Sequence, residues 1–433
     1  PAKSPGHSQR VLPRIQPLSY QEAAGGSTYG DGALSTDRWR ITVFARTFTA
    51  SMLVLTSVMV LPAHASNSAY EPRNLVADQP GSANTDPKLV NAWGIAFNPN
   101  ALVWVANAGT GTSTLYDGAG TPSTLVVTVP DGNPTGIVFN GSNDFVAGGN
   151  PSRFIFATES GTLAAWAPAP SSPPPTAAVT VRDNSAAGAI YKGLALAANG
   201  AGHFLYATDF HNNKIDVFDK DFKPVTPAGS FSDPTIPPGF APFGIQNLNG
   251  DLYVTYAQQD QNREDDVAGR GLGFVDVFDA DGRLVRRFAS RGNLNAPWGL
   301  AVAPASFGQF GNRLLVGNFG DGAINAYDLA SGKFRGQLQR ADRQPVRIDG
   351  LWGLSFGNGV SNQPTNTLFF TAGPDGEAHG LYGRIDVVAT NNGNDGSPTG
   401  GGNGNDDSGN HTGGGGADDS GNGAGNDDPG NHR

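Results

Sequence analysis

"NAPWGLAVAPASFGQFGNRLLVGNFGDGAINAYD", Asn295 to Asp328, is the stretch whose reading decides the fold. A Trp-Gly pair stands directly before one apolar run, and two more short apolar runs follow, each bounded by Gly, Asn or Asp. Runs of this length between turn residues read as strands. Variants of the unit recur: WGIAF at Trp93, TGIVF at Thr135, KGLAL at Lys192, FGIQN at Phe243, WGLAV at Trp298 and WGLSF at Trp352. Their glycines, 94, 136, 193, 244, 299 and 353, are spaced by 42, 57, 51, 55 and 54 residues. Each is followed by a second run (VWVAN, FIFATE, FLYATD, LYVTYA, LLVGN, LFFTA) and then a third (STLYD, GTLAAW, KIDVFD, FVDVFD, AINAYD, RIDVV).

Three or four short strands per unit, at about 40–55 residues per unit, are the signature of a β-propeller. Blades that bury both faces against their neighbours account for continuous apolar runs in place of strict alternation. A Gly after the bulky residue lets the innermost strand approach the crowded axis. The sixth repeat ends at RIDVV with no fourth strand, and RNLVAD (Arg73 to Asp78) is a strand without a unit. An unpaired edge invites aggregation, so this segment is expected to complete the sixth blade as its outer strand. The sequence therefore predicts an all-β fold over 70–389, a six-bladed β-propeller closed by an N-terminal strand. A tandem pair of sheets is the alternative.

The composition agrees. With Gly 61, Pro 31, no Cys and 15% charged residues, the chain favours strands and tight turns over helices. A net charge of −10 argues against a nucleic-acid footprint. The two ends read differently from the middle. Residues 1–65 form a leader in which about 38–65 reads as a bacterial secretory signal. Arg38, Arg40 and Arg46 precede an apolar run from Phe48 to Leu61, and Ala63-His64-Ala65 is a cleavage site before Ser66. That run is too short and too interrupted for a comfortable membrane span, so no transmembrane span is expected in the mature chain. An exported protein follows, whether periplasmic, secreted or at the cell surface. Residues 390–433 are rich in Gly, Asn and Asp with no large apolar side chain, and read as a disordered acidic tail.

NAWGIAFNP, YAQQDQNREDDVAGRGLGFVDVFD and AHGLYGRIDVV, together with the rhythm of Gly-Ile/Leu followed by I-x-V-F-D, resemble NHL-type six-bladed propellers. More closely, the chain is similar to a bacterial family of exported, functionally uncharacterised propeller proteins, over roughly Tyr70 to Val388. The resemblance implies fold and export, and no activity.

Propeller geometry places the loops leading into the inner strands on one face with those joining second to third strands, so remote residues converge there. Two readings compete. In the first, Trp93, Trp298 and Trp352 rim a central funnel, joined by Lys192 and by Arg263 and Asp265 of the long insertion 257–273. The partner would be a small molecule, a glycan or an extracellular polymer, bound by a monomer. In the second, Asn107, Glu159, Asp209 and Asn318 supply oxygen ligands for calcium, with His211 or His379 carrying a proton. That arrangement looks like sugar-lactonase propellers, although their sequence signatures are absent, and it implies a metal-dependent hydrolase or lyase. Zinc held by two His and an acid is the weaker variant, because compact ligand spacing is missing. The plain alternative is that Asn and Asp after the second strand close Asx turns. Whether the protein is an enzyme stays open at this point.

Overall fold

The computed structural model describes residues 68–169 and 173–389, so the leader with its secretory signal and the acidic tail lie outside the described residues. Six sheets follow one another around an axis, five of them four-stranded and antiparallel and the sixth extended by a short parallel strand, Asn84–Thr85. Blade 1 is built from Ala92–Phe97, Val103–Asn107, Thr112–Tyr116 and Pro122–Thr128. Blade 2 uses Pro134–Phe139, Phe154–Thr158, Thr162–Trp166 and Val179–Asp183, and blade 3 Tyr191–Ala198, His203–Asp209, Lys214–Phe218 and Pro224–Val225. Blade 4 holds Phe240–Leu248, Asp251–Gln258, Gly273–Phe278 and Leu284–Ser290, and blade 5 Pro297–Val302, Arg313–Asn318, Ile324–Asp328 and Phe334–Gln337. Blade 6 takes Leu351–Phe356, Leu368–Ala372 and Leu381–Ala389 from the end of the described chain. Its outer strand, Ser68–Ala77, comes from the beginning and pairs antiparallel with Leu381–Ala389. The expected closing strand is thus present, and it starts five residues earlier than RNLVAD indicated. Tyr70, fully buried between Phe307 and Phe310, donates to the Phe307 carbonyl and carries the closing strand across to blade 5.

No single core holds the ring together. Each pair of adjacent blades has its own apolar cluster, including the seam between blades 6 and 1, where Val76, Val105, Tyr116, Phe369 and Tyr382 pack. The repeated glycines explain how the blades meet at the axis. Every inner strand skips register across its X-Gly step, so the backbone bulges there. The bulged Gly then lies against the next inner strand. A Cβ on Gly94 would stand 2.3 Å from the Thr135 carbonyl, on Gly244 2.2 Å from that of Trp298, and on Gly299 2.4 Å from that of Trp352. The clash is with the neighbouring strand, so the glycines set the pitch of the ring. Threonines of the second strands fasten the bulges: Gly193, Gly244 and Gly353 donate their N–H to Thr208, Thr255 and Thr371 at 2.7–2.9 Å. Thr208 and Thr371 pass the contact on by donating to the Phe243 and Trp93 carbonyls of the next blade. Among the described residues, no helix is long and apolar enough to cross a membrane.

Candidate functional site

The first residue of each inner strand pairs with the end of the second strand, as Ala92 does with Asn107 and Pro297 with Asn318. The loops expected to share a face therefore do share it. Asn91, Asn133 and Ala296, each three residues before a bulged Gly, adopt positive φ and turn the chain sharply into the axis. The residue just before the Gly consequently points inward, and this corrects the picture of an open aromatic rim. Trp93 and Trp352 are each 1% exposed and stack at 3.8 Å. Phe319 stacks on the other side of Trp352 at 3.9 Å, while Phe243 and Trp298 meet its edge at 5.8 Å. With Phe210 against Phe243, these rings plug the axis. Six inner strands leave a hole that must be filled to interior density, and aromatic side chains supply that volume.

Blade 3 puts Lys192 where blades 1, 4, 5 and 6 put an aromatic ring and blade 2 puts Thr135. Its side chain is 2% exposed, its ammonium sits 5.1 Å from the centre of the Trp93 ring, and it donates to Glu159 and, at 3.2 Å, to Asp265. Burial pulls the lysine pKa down, but the two carboxylates outweigh it and hold the group above its ordinary value. Asp265 arrives on the insertion of blade 4, which is pinned at several points. Gln259 donates to the Phe210 carbonyl at 2.6 Å, the Gly269 N–H to Asn295 at 2.6 Å, and Arg270 to Asn293 at 3.1 Å. Asp260 accepts the Glu264 N–H at 2.9 Å and closes the tip. The insertion is thus a strap laid over the end of the axis. Asp266 beside it is pushed up to about 7 by burial, reinforced by Glu377 and Asp265 and opposed by Lys192. Glu377 is raised by burial as well, with Glu159 and Asp265 adding to the shift. It accepts from Asn91 at 2.5 Å, and Asn91 accepts from the Trp352 indole at 3.2 Å, so the charged layer is tied to the plug.

The other sequence candidates lie elsewhere in the hairpins. Asn107 donates to Thr112 and Thr114, Asn318 to Asp321 and the Asn293 carbonyl, and Asp209 accepts from Asn212 and pairs with Lys214 at 3.4 Å. All three bond within their own blade or its entry loop, but the Asn107 and Asn318 Oδ1 atoms are buried without a partner, so of the three only Asp209 caps its turn by accepting a backbone N–H, that of Asn212 at 3.3 Å. Glu159 stands apart from them because Thr158 occupies the equivalent register, opposite Pro134, leaving Glu159 one step further along and able to reach Lys192. Among the described residues no group of three or more His, Asp or Glu side chains is arranged to hold a metal. Arg263 sits in the exposed strap tip and makes no ion pair among the described residues. His211 lies beside blade 3 with Nδ1 buried and unpartnered, and His379 is committed through Nδ1 to Asp78 at 2.9 Å. Phe210 and Phe319, which complete the plug, were missed. Their signal was a Phe directly after the Asp or Asn that ends the second run, in ATDF and VGNF.

No family model matches the chain. The curated "Uncharacterized protein R648" of Acanthamoeba polyphaga mimivirus is 38% identical over 320 residues, covering 70% of this chain and 76% of that one. "Uncharacterized protein L690" of the same virus is 34% identical over 329 residues, covering 72% of this chain and 83% of its own length, and these viral relatives correct the bacterial family expected from the motifs. Among solved structures, a streptogramin B lyase aligns over 75% of this chain and all of its own at 12% identity, with a TM-score of 0.45. A Bacteroides thetaiotaomicron protein of unknown function aligns over 74% of this chain and 76% of its own at 13% identity, with a TM-score of 0.46.

Proposed function

This chain belongs to the family of the mimivirus proteins R648 and L690, and we propose that it is an exported binding module holding a hydroxyl-rich glycan or extracellular polymer at the charged end of its axis. The carrying observation is Lys192. An ammonium taken out of water onto an aromatic floor, compensated by carboxylates from blades 2 and 4, costs stability relative to an apolar packing of the same volume. A buried lysine held above its ordinary value, an aspartate pushed up to about 7 and a raised glutamate, gathered at the end of a propeller axis, are the kind of cluster that functional sites build. Glu159 and Asp265 are 26% and 73% exposed, so they offer carboxylate oxygens outward to hydroxyl groups while gripping Lys192 inward. Export is supported by the arginine-led apolar run and the Ala63-His64-Ala65 step that precede the propeller. The metal-dependent hydrolase or lyase alternative has no ligand cluster behind it among the described residues.

The test is glycan and polymer pull-down with the exposed acids altered. Glu159→Gln with Asp265→Asn should abolish retention; because the change also strips the buried Lys192 of its two carboxylates, the thermal midpoint falls, and retention is compared at a temperature where circular dichroism shows both proteins folded. Retention that survives the double change overturns the reading. Trp298→Ala and Trp352→Ala are poor tests, because both rings are part of the plug and their loss would report on stability. For export, the mature protein recovered from culture medium or periplasm should begin at Ser66.

A further inference from the structure

The opposite end of the axis is built differently. In each blade the inner strand has a partner on one side alone, so its other edge, with backbone N–H and C=O groups, faces the axis. Below the plug these edges enclose a neck of about 30 Å³, lined by Gly94, Gly136, Gly299 and Gly353 with Gln246, which opens into a mouth of about 570 Å³. The inner-strand residues around the mouth keep their side chains in the clusters between blades: Ile137 with Phe139, Leu194 with Leu196, and Ile95 with Phe97. What they turn to the axis is main chain. No charged side chain stands in either wall.

One side chain breaks the pattern. The second residue after the bulged Gly is Ala96, Val138, Ala195, Ala301 or Ser355 in five blades, and Gln246 in blade 4. Gln246 is exposed, lines both neck and mouth, and its amide makes no hydrogen bond among the described residues. Asn249, also exposed and also lining the mouth, adds a second free amide. The Asn247 side chain, by contrast, is consumed by the Leu196 carbonyl at 2.7 Å and the Gly250 N–H at 2.9 Å.

We propose that this mouth binds a small, neutral, hydroxyl-rich molecule of about disaccharide size, gripped by the Gln246 amide and the strand edges. The lining selects the class. Strand edges offer both donors and acceptors, as a Gln amide does, and a hydroxyl is both at once and can answer either. An ammonium only donates and a carboxylate only accepts, and each would surrender hydration here without meeting a counter-charge. An apolar body would cover the edges and leave their hydrogen bonds unmade. The volume lies within the roughly 300–1,000 Å³ of ligand pockets, and the neck has room for one ordered water or one hydroxyl group. The plug stands between this site and Lys192, so the inference is independent of the partner proposed for the charged end.

Isothermal titration calorimetry with cellobiose, cellobionate and the glucosamine dimer, disaccharides of different charge, tests it. Saturable one-to-one binding of cellobiose is expected, at least tenfold tighter than of either charged relative. Gln246→Ala installs the residue that three other blades carry at this position, and should weaken cellobiose about tenfold, as loss of one hydrogen bond would give, with the thermal midpoint retained. Gln246→Trp, which fills the mouth from an exposed position, should weaken it at least as much. Glu159→Gln with Asp265→Asn should leave cellobiose binding unchanged at a temperature where that variant is folded. Absence of saturable binding, full affinity in either Gln246 variant, or equal affinity for a charged relative overturns the site. Binding lost in the Glu159 and Asp265 double variant and kept in both Gln246 variants would assign the sugar to the charged end and overturn the mouth, whereas loss of polymer retention alone bears on the charged end and leaves the mouth standing.

Discussion

The two ends of the propeller axis are made from the same six strands and have opposite chemistry. At one end the residue before each bulged Gly turns inward, and the rings of Trp93, Phe243, Trp298 and Trp352, with Phe210, Phe319 and Lys192, fill the hole under a strap of carboxylates. At the other, the same strands run three to five residues further, each through an Ile or Leu directly after the Gly, and leave the axis open and uncharged. The difference follows from one backbone feature. The bulge at X-Gly narrows the ring to van der Waals contact between neighbouring strands, and everything before it is squeezed while everything after it splays. A propeller can thus carry one closed, electrostatically loaded end and one open, neutral end without any change of architecture.

The largest expected effect comes from the narrowing itself. Gly244→Ala places a methyl group 2.2 Å from the Trp298 carbonyl, backbone that cannot swing aside as a side chain could. It should destabilise the protein by about 3 kcal/mol or more, at the upper end of overpacking costs. Urea denaturation measures it, and both ends should fail together; a midpoint within error of the parent would mean the strands can separate at the bulge. Next in size is Lys192→Met, which removes the cation and leaves Glu159, Asp265, Asp266 and Glu377 facing one another. Removing one partner of a buried pair is costly, but Asp265 is 73% exposed and solvent screens part of the repulsion. A loss of about 2 kcal/mol near neutral pH is expected, shrinking in acid as the carboxyls protonate. Equal loss at all pH values would show that Lys192 acts through packing and not through charge.

Legibility in the sequence tracks the same division. The ring, its six units and its closing strand could be read because Gly repeats at fixed offsets from apolar runs, and because RIDVV lacked a partner while RNLVAD lacked a blade. The shared face of Trp93, Lys192, Glu159 and Asp265 followed from connectivity alone. Whether Trp93 and Trp352 would rim a funnel or fill it depended on the bulge, which inverts the direction expected from simple strand alternation. The contact between Lys192 and Asp265 spans 73 residues and depends on how the strap is pinned to blades 3 and 5, which composition does not encode. The threonines in YATD, VTYA and FFTA were visible as a repeat, yet their meaning needed the Gly N–H they receive. The open end of the axis left no sequence signal, since its lining is the ordinary continuation of the inner strands, presented largely as backbone edge.

A smaller effect sharpens the electrostatic half of the contrast. Asp266 has a folded pKa of about 7 against an ordinary 3.8. Between those values the folded state holds a proton that the unfolded chain has released, so this group's contribution to stability declines as pH rises from about 4 to 7 and is level above. Asp276, pushed to about 6 by burial despite Arg287, adds a parallel decline that ends lower. Asp266→Asn should therefore raise the thermal midpoint at pH above 7 and flatten the slope between 6 and 7 relative to the parent. An unchanged slope would place the proton elsewhere in the cluster, on Glu377.

The smallest expected effect concerns the seam that makes both ends possible. Asp78, at the end of the closing strand, accepts the Gly380 N–H at 3.0 Å and meets His379 Nδ1 at 2.9 Å. Burial opposes ionisation of Asp78, but the Gly380 N–H and His379 together hold it below the usual carboxylate range, while the Asp78 hydrogen bond lifts His379 above 6.5. The two linkages have opposite signs. The aspartate contribution is complete above 3.8 and lost as pH falls through its depressed folded value. The histidine contribution is complete below 6.5 and lost as pH rises through its elevated one. The clip is therefore fully engaged between those two values and weakens in alkali. Amide-exchange protection of residues 68–77 should be higher at about pH 6 than at about pH 9, and His379→Gln should remove that difference while leaving blades 2 to 4 untouched. A pH-independent protection in the parent would assign closure to Tyr70 and the strand pairing, with His379 a bystander at the rim.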